Sequence, residues 1–195
     1  MGRFVPTNSA NGDMSNQILL SLGASQTPDR IVFLSGDVNE HSISSVIAQL
    51  IGLANQNKSP IHLIVSTYGG SVDEMFSLYD TIKFLPCPVH TIALGKVMSA
   101  GVLLLSSGVK GKRLVGKNTR IMIHPISGGT IGNIFETINS TEEMKRLQDR
   151  MVEALTEETS MSQQKIEEIM KKGHDFFIDA KEAVKLGIVD KIIGS

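Results

Sequence analysis

The stretch IHLIVSTYGGSVDEMFSLYDTIKFL, residues 61–85, decides the fold. It opens on IHLIVS (61–66), a short apolar run rich in β-branched side chains, the mark of a buried strand. Tyr68-Gly69-Gly70 then interrupts the run as a turn signal. Beyond it, Val72, Met75, Phe76, Tyr79 and Ile82 fall on one helical face. The segment therefore reads as strand, glycine turn and amphipathic helix.

The same alternation extends to both sides. RIVFLSG (30–36) reads as a strand, and Ile43, Val46, Ile47, Leu50 and Ile51 recur at helical spacing behind it. PVHTIAL (88–94) and RIMIH (120–124) read as two more strands, with the helix SAGVLLLSSG (99–108) between them. Strands alternating with helices predict a parallel sheet with crossover helices, an α/β domain. Residues 131–159 differ: Ile134, Ile138, Met144, Leu147, Met151 and Leu155 make a loose helical stripe among many charges. One helix over most of that span would be about 40 Å long. Two arrangements fit, a surface helix (whole, or broken near Asn139-Ser140) and a helix that projects to meet another subunit.

Composition narrows the classes. A chain of 195 residues with 41% hydrophobic and 20% charged residues suits one soluble domain. It has no Trp, so Met, Leu, Ile and Val must fill the interior. A net charge of −1 without a basic stripe gives nucleic acid no footprint. No stretch approaches the roughly 20 apolar residues of a membrane span. Ile18-Leu19-Leu20 is too short for a signal core, and Pro6 stands where a myristoylation pattern needs Ser or Thr. Residues 1–17 read as a mobile polar arm. The single cysteine, Cys87, has no internal disulfide partner and no ligand spacing around it. The expectation is a reducing compartment, the cytoplasm, and no metal.

The chemistry gathers at strand ends. In GKVMSAGVLLLSSG (95–108), Ser99 stands where a strand hands over to a helix. Ligands of open parallel sheets bind at the carboxyl ends of strands. A helix start also offers unpaired N–H groups and a positive dipole end. Small Ala100 and Gly101 leave room for a substrate carbonyl. An ordinary serine N-cap fits the same residues, and the motif is not G-x-S-x-G. At the second strand end, Gly69 and Gly70 permit positive φ; an N–H there and that of Ala100 would pair as an oxyanion hole. A plain strand–helix turn is the alternative. At the third, His124 is either a base for Ser99 or a core histidine. His62 and His90 begin strands, His41 begins a helix and His174 lies on a charged turn, so each is less suited. A base needs an orienting acceptor. Asp175, Asp179 and Asp190 are the carboxylates near apolar segments. Asp175 precedes Phe176-Phe177-Ile178, a short strand, where partial desolvation is expected.

Five segments in this order resemble the Clp protease proteolytic subunit (ClpP) family: RIVFLSGDV, STYGGSVDEMFSLYDTI, GKVMSAGVLLLSSGVKGKR, NTRIMIHPISGG and DFFIDAKEAVKLGIVDKI. The resemblance runs from about Arg30 to Ile193. It implies a crotonase-like spiral of βαβ units with a projecting helical handle over about 131–159, within a catalytic domain of residues 18–195. It implies a serine endopeptidase with Ser99 as nucleophile, His124 as base and Asp175 as the third member, and Gly69 or Gly70 with Ala100 as oxyanion donors. Family members are homo-oligomers of two stacked heptameric rings, a tetradecamer whose chamber degrades unfolded polypeptides. The polar arm would line the axial pore. An AAA+ unfoldase of the ClpX or ClpA type feeds the chamber and uses the ATP; this chain has no G-x-x-x-x-G-K-[ST] loop and no cofactor is expected in it. Tyr68, Pro125 and Phe176 depart from the family pattern, where Pro, Gln and Arg are usual. Two other readings use the same features: a non-catalytic ring subunit, and an acyl-CoA enzyme of the crotonase superfamily.

Overall fold

Strands and helices alternate along residues 30–194, the part of the chain that the computed structural model describes. The polar arm read at residues 1–17 lies outside the described residues. In chain order the elements are β1 (Ile31–Val38), α1 (Glu40–Gln56), β2 (Ile61–Gly70), α2 (Val72–Phe84), β3 (Val89–Met98), α3 (Ala100–Ser106), β4 (Leu114–Gly116) and β5 (Arg120–Ile123). There follow α4 (Ile134–Glu158), α5 (Gln163–Lys171), β6 (Phe176–Ile178), α6 (Ala180–Lys185) and β7 (Lys191–Ile193). The sheet runs β1-β2-β3-β4-β7, with β5 against β3 and β6 outside β5. The β2–β3, β3–β4, β3–β5 and β4–β7 pairs are parallel, and β5–β6 is antiparallel. The predicted α/β domain of crossover units is what forms.

β3 is the pivot. Its first half pairs with β4 through Ile92 and Ala93, and its second half with β5 through Lys96 to Met98. Between the halves the register against β2 jumps from Val65↔Ala93 to Thr67↔Val97. The extra β3 residues form a bulge around Gly95, whose φ is +73°. A bulge bends and twists its strand, and here it lets one strand serve two neighbours in turn. β3 runs past the predicted 88–94 because β5 continues its ladder where the apolar run stops, and β2 runs past 61–66 because Thr67 pairs with Val97 on that extension.

The core lies on one face of the sheet. Ile61, Leu63 and Val65 of β2 point into it with Val97 of β3, and Met75, Leu78 and the apolar α3 cover them. Gly101 permits α3 to lie close, since a Cβ there would come 2.5 Å from Thr67 Cγ2 on β2. α1 buries Ile43, Val46, Leu50 and Ala54. Ile51, expected on that face, is 45% exposed because the buried stripe passes from Leu50 to Ala54.

α4 is continuous through Asn139-Ser140, so the broken-helix arrangement is not the one adopted. Asn133 caps it: Oδ1 accepts from Phe135 N and Glu136 N, and the Glu136 carboxylate accepts from Asn133 N. Such a reciprocal cap satisfies donors that a helix start leaves unpaired. The stripe on α4 divides in two. Met151, Val152 and Leu155 are buried in the core, whereas Ile134, Phe135 and Ile138 near its start are exposed.

Candidate active site

Ser99 sits at the junction of β3 and α3. Its backbone has φ 54° and ψ −125°, and among the described residues it is the non-glycine with positive φ. Such a conformation costs about 1–3 kcal/mol and persists only where the surroundings impose it. The surroundings are visible. Ser99 N donates to Met122 O on β5 at 2.8 Å, and Ser99 O accepts from Val102 N at 3.0 Å. The serine is pinned between the strand end and the first turn of α3. Its side chain makes no capping hydrogen bond to that turn. Ser99 Oγ lies instead 2.8 Å from His124 Nε2. The N-cap explanation of this hydroxyl therefore fails, and a serine–imidazole pair takes its place.

His124 follows the last residue of β5, and β5 lies beside the end of β3 through Met98↔Met122. That pairing carries the imidazole to the serine although they are 25 residues apart. A narrow cleft of about 40 Å³ opens beside the pair. Gly70 and Ala100 reach it from the ends of two elements, and Val72, Met75, Ile126 and Met151 supply apolar walls. Ala100 is the first residue of α3, so its N–H is one of those with no intrahelical acceptor.

The two glycines of β2 do different things. Gly69 N donates to Thr67 Oγ1 at 2.9 Å in a buried bond, so its N–H is engaged, and Gly70 is the glycine that lines the cleft. Both need to lack a Cβ. At Gly69 (φ +96°) a Cβ would lie 2.6 Å from Ser99 Cβ and 2.8 Å from Met98 O; at Gly70 it would collide with Val38 O.

The carboxylates separate as clearly. Asp190 Oδ1 and Oδ2 bind the Arg113 guanidinium at 2.7 and 3.0 Å. Burial alone would raise the Asp190 pKa, but the Arg113 bonds outweigh it and hold it below the usual range. Asp179 caps α6 through Glu182 N. Among the described residues Asp175 has no such structural partner. It is exposed, which corrects the expected desolvation, and its carboxylate makes no hydrogen bond to His124 in this structure. The ladder accounts for the exposure. Ile123↔Phe176 is the last β5–β6 pair, so His124 and Asp175 are the first residues of the two segments beyond the ladder. Ser99 and His124 are joined, while Asp175 is exposed just beyond the ladder and bonded to neither.

The other histidines are elsewhere. His62 and His90 pair across β2–β3 with ring centroids 5.1 Å apart. They lie near the amino ends of these strands, about 30 Å of extended chain before Ser99. Burial lowers the pKa of both, His90 to about 4 with added repulsion from His62 and Lys112. His41 and His174 are exposed. Tyr68 projects from the end of β2 with Lys96 Nζ 4.5 Å from its ring centroid. Sequence reasoning missed Met151 as a cleft wall and Gln148, whose Oε1 accepts from Ile126 N; both come from α4, and nothing local in the sequence ties them to His124.

Among the described residues no group of three or more His, Cys, Asp or Glu is arranged to hold a metal ion, and no helix is long and apolar enough to cross a membrane. In comparison with known families, residues 17–195 match the family model described as Clp protease.

Proposed function

This chain belongs to the Clp protease family, and we propose that it is a serine endopeptidase whose nucleophile is Ser99 and whose base is His124. The contact that carries the proposal is Ser99 Oγ to His124 Nε2 at 2.8 Å, made by a serine held at positive φ that caps nothing. In this reading Nε2 takes the hydroxyl proton as Oγ attacks a scissile carbonyl. The tetrahedral oxyanion lies against the N–H groups of Gly70 and Ala100, each of which contributes about 2.7–4 kcal/mol. Protonated His124 then gives its proton to the leaving amine, and an acyl-enzyme remains. Water, activated by the same imidazole, hydrolyses it.

Asp175 is the orienting acceptor for Nδ1 in this mechanism; it adjoins the β5–β6 ladder directly, as His124 does, and is committed to no structural hydrogen bond among the described residues, which supports that role. The carboxylate must move to the imidazole before turnover. An extended peptide pairs through its backbone with a strand edge beside the cleft, which gives weak sequence selectivity. Val72, Met75, Ile126 and Met151 would favour an aliphatic side chain next to the scissile bond.

The assembly follows the family pattern in this proposal: two stacked heptameric rings, with the exposed Ile134, Phe135 and Ile138 of α4 meeting another copy. A ring-shaped ATP-driven unfoldase of the ClpX or ClpA type supplies unfolded polypeptide, and this chain itself uses no cofactor. A reducing, cytoplasmic setting accords with the free, buried Cys87. The test is labelling by a fluorophosphonate probe. The wild-type chain should label, and Ser99→Ala should not; undiminished labelling of the variant refutes the assignment. The non-catalytic ring-subunit reading draws support from the unengaged Asp175. Cleavage of a short fluorogenic peptide by the purified chain alone would remove it.

A further inference from the structure

His124 has a firm support on one side only. The β5–β6 ladder ends at Ile123, and residues 124–133 form no regular element before α4 begins. Pro125 has no N–H, so the first main-chain donor after the histidine is that of Ile126. That N–H donates to Gln148 Oε1 on α4 at 2.7 Å. The orientation of the amide is dictated by this bond, because the flipped amide would set two donors face to face. Gln148 Nε2, on the other side of the amide, is buried with no hydrogen-bond partner among the described residues.

A buried donor left unfilled is a cost that an apolar side chain of the same size would not carry. Packing alone does not account for glutamine here; the acceptor oxygen does. One turn along the same helix face, Met151 lines the cleft together with Ile126, Ser99 and His124. We propose that Gln148 is a positioning residue: it anchors the His124-Pro125-Ile126 turn to α4, keeps the imidazole on Ser99 and holds Ile126 as a wall of the cleft. The inference rests on the peptidase reading for its kinetic consequence and on the Ile126 N–H bond for its structural one.

Two variants separate the acceptor from mere bulk. Gln148→Leu removes the acceptor and keeps the volume. Gln148→Glu keeps an acceptor oxygen and deletes the unfilled donor. Amide hydrogen exchange at Ile126 reports the anchor without any activity. Peptide turnover and the rate of fluorophosphonate labelling report its effect on Ser99. Gln148→Leu should lower kcat and labelling rate about tenfold, the scale of one lost hydrogen bond, and speed exchange at Ile126 by a similar factor. Its melting temperature and sedimentation should match the wild type. Gln148→Glu should restore kcat and Ile126 protection to within about threefold of the wild type, a recovery worth roughly half a decade or more. Wild-type kcat together with unchanged Ile126 exchange in Gln148→Leu overturns the proposal, as does a Gln148→Glu protein as impaired as the leucine variant. Should Gln148→Leu fail to assemble, Ile126 exchange in Gln148→Glu decides: protection supports the anchor and its loss overturns it. A wild-type chain that neither labels nor cleaves would sink the peptidase reading, and Ile126 exchange in the variants would still judge the anchor.

Discussion

The two ends of β3 each carry a histidine pair of a kind, and they differ in what surrounds it. Near the amino end His90 packs edge-on against His62, and burial lowers both pKa values. Just past the carboxyl end His124 meets Ser99, beside the start of α3 and the glycine end of β2. Both pairs are made by register between neighbouring strands. Of the two, the second has a hydroxyl forced off its cap and a helix start beside it. Strand polarity makes the difference: helix N-termini and their unpaired N–H groups follow the carboxyl ends of parallel strands. A histidine at the other end has no comparable donors to work with.

The sharpest way to break this comparison is to remove each histidine in turn. His124→Ala should lower peptide turnover by roughly 10⁴–10⁶-fold, whereas His90→Ala should leave turnover within about threefold, well under one decade. Equal losses in steady-state assays would erase the distinction between the two ends. Asp175→Asn comes next, with an expected loss of about 10⁴-fold in kcat if the carboxylate orients the imidazole. A loss under tenfold would leave the serine and histidine working as a dyad. Gly69→Ala should cost about 10²-fold, because the added Cβ displaces Ser99 even though the Gly69 N–H is not at the cleft; unchanged kcat would mean the junction yields.

The smallest effect belongs to the amino end and concerns stability. His90 titrates near 4 in the folded chain, below its ordinary value of 6.5. Between those values the unfolded chain binds more protons, so stability rises with pH across that window. The contribution is fully present above the ordinary value and is lost as pH falls toward 4. Urea midpoints of the wild type should therefore fall on acidification through this range, and His90→Phe should flatten the fall. An unchanged slope would show that the pair is solvated.

How much of this could be read from residue order alone varies by element. The strand–helix alternation around Ser71 was legible because β2 and α2 have clean, different periods. The start of α4 was legible in principle too, since Asn133 and Glu136 are spaced for a reciprocal cap. The β3 bulge was not: Leu94-Gly95-Lys96 ends the apolar run, yet the strand continues because β5 arrives from further along the chain, pairing Lys96 with Arg120. Ser99 and His124 were identifiable as strand-end residues, but nothing local shows a serine at positive φ or a hydroxyl turned from its cap. Gly69 and Gly70 look equivalent in sequence and are divided only by Thr67 Oγ1. The exposure of Asp175 follows from the shortness of β6, three residues that begin one step after the carboxylate.

The most direct measurement is peptide mapping of a fluorophosphonate adduct by mass spectrometry, run on the wild type and on His124→Ala side by side. The account predicts a single adduct on Ser99 in the wild type and its near-complete loss when the imidazole is removed. An adduct on another serine, or labelling of Ser99 that is indifferent to His124, would contradict it.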